Sequence, residues 1–447
     1  MKILNYSILF LIVLAFSSCG KYLEVEPRAS LSDDQTIVDK ASAETALRGV
    51  YSALADGGYY GTSFQSIGYL SGDNVQWTGS QSQVQEFINH KVNAENATIN
   101  TVWIAIYRTI NRANNVIKKV SEVSDASFTA AQRAPITGEA YFIRALAYFD
   151  LARVWGGVPL ITQPTRDQSD NVGVKRATVE ETFSQVLKDL DAAEPLLPNT
   201  VDRYRATQRT VWALKARFYL YQKNWQKAEE YASKLIGDAS YKLLKPYSAF
   251  FAGDVRGTQE SVFEIFYSSA ETNGHRNQWQ PQENGGTRQW APGDAFVALV
   301  NNPLVGGNRS VLVARDKQNR WYGTLYYRNP ATDPTYVIRI AELYLIRAEA
   351  RARQGATRLV EALSDLNAVR DRAGLVQAAA TTPEEALLAI EQERRLEFAF
   401  EPHRWFDLVR TGRAAAVLNV TDPNRLVLPI PAEQRLIDKA LDQNLGY

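Results

Sequence analysis

Apolar side chains recur at steps of three and four residues along most of this chain, and that spacing commits it to packed α-helices. Ala43, Leu47, Val50 and Leu54 share one helical face, and Gly57-Gly58 ends the run. Val102, Ile106, Ile110, Ala113 and Ile117 make a second stripe. Ala140, Ile143, Ala147 and Leu151 make a third, predicting a helix over 138–154. It stops at Gly156-Gly157-Val158-Pro159, where Gly and Pro both oppose continuation. Thr178-Val179-Glu180-Glu181 has the form of a capping box, in which hydroxyl and carboxylate satisfy exposed amides of the first turn. Thr382-Pro383-Glu384-Glu385 adds a proline at the first helical position, where its missing N–H costs nothing. That helix is expected to run from Pro383 to about Phe400, because Pro402 disfavours helical backbone at Glu401.

Two helix–turn–helix units stand out. Ala216, Tyr219, Asn224-Trp225 and Ala228 have the spacing of a tetratricopeptide repeat, and Ala348, Gly355 and Ala362 form a looser copy. Two stretches break the period. Residues 56–97 are rich in Gly, Ser, Gln and Asn and carry Tyr59, Tyr60, Tyr69 and Trp77. Residues 268–333 carry Trp279, Trp290, Trp321, Tyr322, Tyr326 and Tyr327 among Gly, Asn and Pro. The expected fold is mostly α, with tetratricopeptide-like helix pairs packed beside an irregular, loop-rich lobe. Irregular stretches this long are usually functional or disordered. Their aromatic content argues against disorder.

The first residues read as an export signal. Lys2 precedes the apolar run Ile8–Phe16, and Ser17-Ser18 leads to Cys19. The run is too short to span a bilayer, which needs roughly 20 apolar residues. Residues 1–18 are therefore expected to be a signal peptide. Cys19, the only cysteine of the chain, is expected to be its lipid attachment point. Each buried CH₂ of a lipid contributes about 0.8 kcal/mol, and more than one acyl chain gives a stable hold. Residues 19–27 read as a short polar tether ending at Pro27. A single cysteine excludes an intramolecular disulfide, so the core alone must stabilise the fold. A chain of 447 residues with 45% hydrophobic side chains can supply one. The net charge of +1 offers no basic sheath for nucleic acid.

Signs of catalysis are sparse. The three histidines, His90, His275 and His403, form no metal-binding motif, and neither a nucleophile elbow nor a phosphate loop is present. No enzyme activity, metal or cofactor is expected. A carboxylate pair for glycoside hydrolysis needs no local motif, which keeps a surface hydrolase as a rival reading. A purely structural subunit is another. Glu393, Glu397 and Glu401 share a helical face but are interleaved with Arg394, Arg395 and Arg404, the pattern of structural ion pairs. The aromatics of the irregular stretches point to sugar. An indole can cover the C–H face of a pyranose while neighbouring amides and charges meet its hydroxyls. Trp77, Trp279, Trp290 and Trp321 are the expected platforms, and Asp73, Asn74 and Arg288 their polar partners. A groove binding peptide side chains and backbone would use the same aromatics.

Several segments together carry a family resemblance. The start is Cys19-Gly20-Lys21-Tyr22-Leu23. The segment from Glu139 to Leu151 runs on into Trp155-Gly156-Gly157-Val158-Pro159-Leu160. A late helix spans Ile338 to Ala350, and the run from Arg394 to Leu408 contains Glu401-Pro402-His403-Arg404-Trp405. The tail carries Leu428-Pro429-Ile430-Pro431 and Gln443-Asn444-Leu445-Gly446-Tyr447. These resemble the SusD/RagB group of Bacteroidota outer-membrane lipoproteins over nearly the whole chain. The resemblance implies an N-terminal helical region over 28–250 and a C-terminal region over 251–447, with long loops at 268–333. It implies a non-catalytic, outward-facing, nutrient-binding lipoprotein of the outer membrane; the ligand class is not carried over, and the loop aromatics make glycan the expected ligand, with peptide or another nutrient as the alternative. Its implied partner is a SusC-like TonB-dependent transporter. Ligand contacts would come from loops, leaving Glu401–Leu408 as scaffold.

Overall fold

The computed structural model describes residues 36–447 except residue 168. The expected signal peptide, Cys19 and the tether lie outside the described residues. Helices Lys40–Ala55, Ala97–Glu122, Ala130–Trp155 and Val179–Ala193 pack side by side. The third is enclosed on nearly all sides from Gly138 to Trp155. Its charged groups are therefore paired: Arg144 donates to both oxygens of Asp189 at 2.8 and 2.7 Å. Asp150 accepts from the hydroxyls of Tyr59 and Tyr60 at 2.6 and 2.9 Å and pairs with Arg153. Thr178 and Thr382 cap their helices through the N–H groups of Glu181 and Glu385, at 3.1 and 3.2 Å. The second of these helices, Pro383–Glu397, ends short of Phe400. Phe398 leaves helical backbone and lays its ring 4.4 Å from that of His403.

The helix pairs Gln208–Tyr221/Trp225–Ile236 and Ile340–Arg353/Leu359–Arg372 stack on each other, joined by Pro383–Glu397. Ala216, Ala228, Ala348 and Ala362 are fully buried, and their small size lets the helices approach closely. Arg217–Glu342 at 2.6 Å and Arg351–Glu229 at 2.8 Å bridge the two pairs. Helices from both sides of the expected 250/251 division thus form one array. The intervening chain leaves and returns through strands β2 (Ser261–Ile265) and β6 (Thr335–Arg339), which pair antiparallel. The tail closes back on the first half. The Trp155 indole donates to the Pro429 carbonyl at 2.9 Å, and Asn444 donates to the Trp155 carbonyl at 3.0 Å.

The stretch 56–97 is less irregular than its sequence suggests, since it holds helices Ser63–Leu70 and Ser82–Ile88. All side chains from Phe64 to Leu70 are buried, so no polar face marks the period. Gly68 permits this enclosure: a Cβ there would lie 2.6 Å from the Pro402 Cα. The other stretch forms short pieces. Strand β1 (Val75–Trp77) pairs with β3 (Trp290–Pro292), and β4 (Val313–Arg315) makes a hairpin with β5 (Trp321–Gly323). Among the described residues no helix is long and apolar enough to cross a membrane.

Candidate functional site

The β1–β3 ladder sets Trp77 directly opposite Trp290, and opposed residues share one face of an antiparallel pair. Trp290 is only 5% exposed and Trp279 only 1%. Their rings lie 5.9 Å apart, and both meet Tyr69, at 5.3 and 5.5 Å. Phe400 adds a fourth neighbour 4.5 Å from Trp279. This cluster is the core of the loop lobe. The expectation that Trp279 and Trp290 are sugar platforms is corrected accordingly: no face of either ring is open to a ligand.

Asp73 and Asn74 are held by partners other than Trp77. Arg404 donates to Asp73 at 2.6 Å, and Arg395 reaches its other oxygen at 3.1 Å. Asn74 accepts from the Arg395 Nε at 2.8 Å and donates to the Arg395 carbonyl at 2.9 Å. Burial would raise the Asp73 carboxyl, but the Arg404 and Arg395 charges outweigh it and hold it below the usual range. Both residues anchor the start of β1 to the Arg394–Leu408 segment. In the sequence they sit just before Trp77 and look like its polar company. Their partners lie more than 300 residues away.

Trp77, Arg288 and Trp321 remain near the surface, half-buried, and the fold brings their strands together. Arg288 precedes β3, and its Nε donates to the Trp321 carbonyl at 2.8 Å. Its φ of 46° lies in the left-handed region, sparsely occupied by residues other than Gly. The Arg315 guanidinium sits 4.4 Å from the Trp321 ring centroid. The Thr78 N–H donates to the Gln289 carbonyl at 2.9 Å, continuing the β1–β3 pairing beyond Trp77.

Beside β5 opens a cleft of about 810 Å³, whose walls include Arg276, Gln280, Asn284, Tyr322 and Tyr327. The buried Gln280 amide donates to the Gly323 and Tyr326 carbonyls at 3.0 and 2.9 Å and accepts from Asn284 at 2.9 Å. Glu283, also on the wall, accepts from the Lys317 N–H at 2.7 Å and so ties the β4–β5 hairpin to the opposite loop. Tyr rings, amides and carbonyls within one cleft suit a polar ligand with apolar faces. Tyr322 and Tyr327 stand in the sequence among the loop aromatics. Only their neighbour Trp321 was singled out there, because nothing local shows which side of a three-residue strand faces a cavity.

Other ionisable groups have structural places. Burial pushes His275 down to about 4, and the ring stacks 4.3 Å from that of Tyr326. Burial also lowers His403 to about 3. Arg309 pairs with Glu393 and Glu397, Arg339 with Glu260, Glu397 and Glu401, and Arg372 with Glu260 and Glu397, all buried. Burial would raise Glu397, but these three guanidinium groups bring it down to about 2. Among the described residues no group of three or more His, Cys, Asp or Glu side chains is placed to hold a metal ion.

Residues 21–220 match a SusD-like family described as starch-binding associating with outer membrane, and residues 319–425 match the SusD family itself. The chain belongs to the SusD/RagB family. It is 27% identical to the SusD-like protein P38 of Formosa agariphila over 100% of both chains. Among solved structures it is similar to a SusD superfamily protein from Bacteroides vulgatus, with a TM-score of 0.82 and 22% identity, covering 92% of this chain and 99% of that one. A laminarin-binding SusD-like protein superposes with a TM-score of 0.79 at 25% identity, covering 92% and 100%. The SusD match contains the stacked helix pair, the Arg394–Leu408 clamp and β5. Arg276, Gln280, Glu283 and Arg288 fall between the two matched stretches.

Proposed function

We propose that this protein captures oligosaccharide at the cell surface and delivers it to a SusC-like TonB-dependent transporter of the outer membrane. The observation that carries the reading is the cleft beside β5, with Tyr322 and Tyr327 in its wall; Trp321 precedes Tyr322 on the same strand, on its opposite face. A pyranose has the matching surface, with C–H faces for the rings and hydroxyls for the amides. The outer-membrane, starch-binding description of the matched family and the laminarin-binding relative support a glycan as ligand. Cys19 would hold the protein to the membrane by lipid, with residues 19–27 letting the body swing as a lid over its transporter.

Calorimetric titration with laminari- and malto-oligosaccharides tests the site. Truncating a ligand-facing aromatic anchor costs about 2 kcal/mol, roughly a 30-fold loss of affinity. Trp321→Ala and Tyr322→Ala are each expected to show it. Binding of unchanged strength in both variants would remove this cleft as the site. Cys19→Ala should release the protein from the outer membrane with ligand affinity intact, and wild-type protein should co-purify with its transporter.

A further inference from the structure

The β4–β5 hairpin is crowded with cations. Arg315, Lys317 and Arg320 lie on it, and Arg288 leans against it. Two carboxylates accompany them. Asp316 is enclosed, and its oxygens accept from the Gln318 and Arg320 N–H groups at 2.9 and 2.8 Å and from the Arg320 guanidinium at 2.8 and 2.7 Å. Glu283 accepts from the Lys317 backbone. Asp316 is therefore spent on Arg320 and on the turn itself. Among the described residues neither Arg288 nor Arg315 is paired with a carboxylate.

These two guanidinium groups flank Trp321. Arg288 is tied to its carbonyl through Nε, and its two Nη groups have no protein acceptor among the described residues. Arg315 lies over the indole ring and also donates to Asn319. Arg288 is half-buried, and burial first and the nearby Arg320 charge second push its pKa down, against the opposing pull of the Asp316 carboxylate. A chain of net charge +1 thus places two guanidinium groups, neither in direct contact with a carboxylate among the described residues, beside one half-buried aromatic. Keeping a guanidinium partly out of water without a counter-ion is unfavourable, and an anionic ligand would relieve it. The open fork of Arg288 has the planar donor geometry that a carboxylate or sulfate accepts in bidentate fashion.

We infer that the oligosaccharide bound at Trp321 is acidic, a sugar bearing a carboxylate or a sulfate that meets the Arg288 and Arg315 guanidinium groups. This rests on the glycan reading above and narrows it. The sugar ring lies against Trp321, and its anionic substituent reaches the two arginines.

The test titrates the intact protein with three sets of oligosaccharides of equal length: uronate-containing, sulfated and neutral β-glucan. One acidic set is expected to bind at least tenfold more tightly than the neutral set, and which one identifies the anion. That preference should fall at least fivefold in Arg288→Gln and in the exposed-site variant Arg315→Gln, and it should shrink between 50 and 300 mM salt as about one ion pair is screened. Arg288→Lys, which keeps the charge but not the fork, should retain only part of it. Neutral glucan bound as tightly as either acidic set would overturn the inference and leave the glycan reading standing. An acidic preference that survives both Gln variants would also overturn it. No binding from any of the three sets would overturn the glycan reading itself.

Discussion

Arg339 joins more carboxylates than any other side chain of the buried ion network, which allows the effect of removing it to be worked out. Its guanidinium, fully buried, donates to Glu260 at 3.0 Å, to the Glu397 carboxylate at 2.8 Å and carbonyl at 2.9 Å, and to Glu401 at 2.6 Å. Glu260 and Glu397 keep Arg372 if Arg339 is lost. Glu401 pairs with no other cation among the described residues. Burial already pushes its carboxyl up, and only Arg339 opposes that. Arg339→Met therefore leaves a buried carboxylate facing Glu397 and Glu342, and breaking a buried pair in this way costs about 3–5 kcal/mol. Unfolding entropy of roughly 2.1 cal/mol/K per residue, over roughly 400 residues, comes to about 0.8 kcal/mol/K, so the melting temperature should fall by about 5 °C.

The sharper test is a reversal of sign. Glu401→Gln in the wild-type background removes charge-assisted bonds to Arg339 and destabilises by about 1–2 kcal/mol. The same change in the Arg339→Met background removes an unpaired buried charge and stabilises. The Arg339→Met deficit should also shrink from pH 7 to pH 5. A carboxyl whose native pKa is raised binds more protons in the folded state, so its contribution to stability improves as pH falls. Differential scanning calorimetry on the four proteins measures all of this. An Arg339→Met melting temperature within 1 °C of wild type, or a Glu401→Gln effect of the same sign in both backgrounds, would refute the reasoning.

Three further outcomes are expected. Trp279→Ala should destabilise the protein by about 3–5 kcal/mol in urea unfolding, whereas Trp321→Ala should cost far less stability and lose ligand, because only Trp279 fills a closed core. Gly68→Ala should cost about 1–3 kcal/mol in the same assay, since its new methyl has to displace Pro402. His275→Phe, which keeps a ring against Tyr326, should flatten part of the fall in melting temperature between pH 6.5 and about 4. The native imidazole is held near 4 by burial, so the unfolded chain binds the extra proton across that window, a linkage worth at most roughly 3 kcal/mol at its acid end.

Much of the fold was legible because helices announce themselves locally. Periods of three and four, the Thr178 and Thr382 caps and the small residues at Ala216, Ala228, Ala348 and Ala362 all act within a turn or two of chain. The sequence alone thus determined the helical class, the paired-helix array and the expectation that the carboxylates from Glu393 to Glu401 serve structure. It failed where the local signal vanished. Ser63–Leu70 shows no amphipathic period because the helix is enclosed on every side. The candidate site was only partly legible, for a related reason. All four candidate tryptophans occupy Gly- and polar-rich stretches that look alike along the chain. Tertiary structure alone decided that Trp279 and Trp290 close a core while Trp77 and Trp321 stay at the edge. It alone gave Asp73 and Asn74 to Arg404 and Arg395, and left Arg288 and Arg315 with no directly paired carboxylate among the described residues beside Trp321. Burial and charge pairing are sums over neighbours brought from distant parts of the chain, and no window of sequence contains those neighbours.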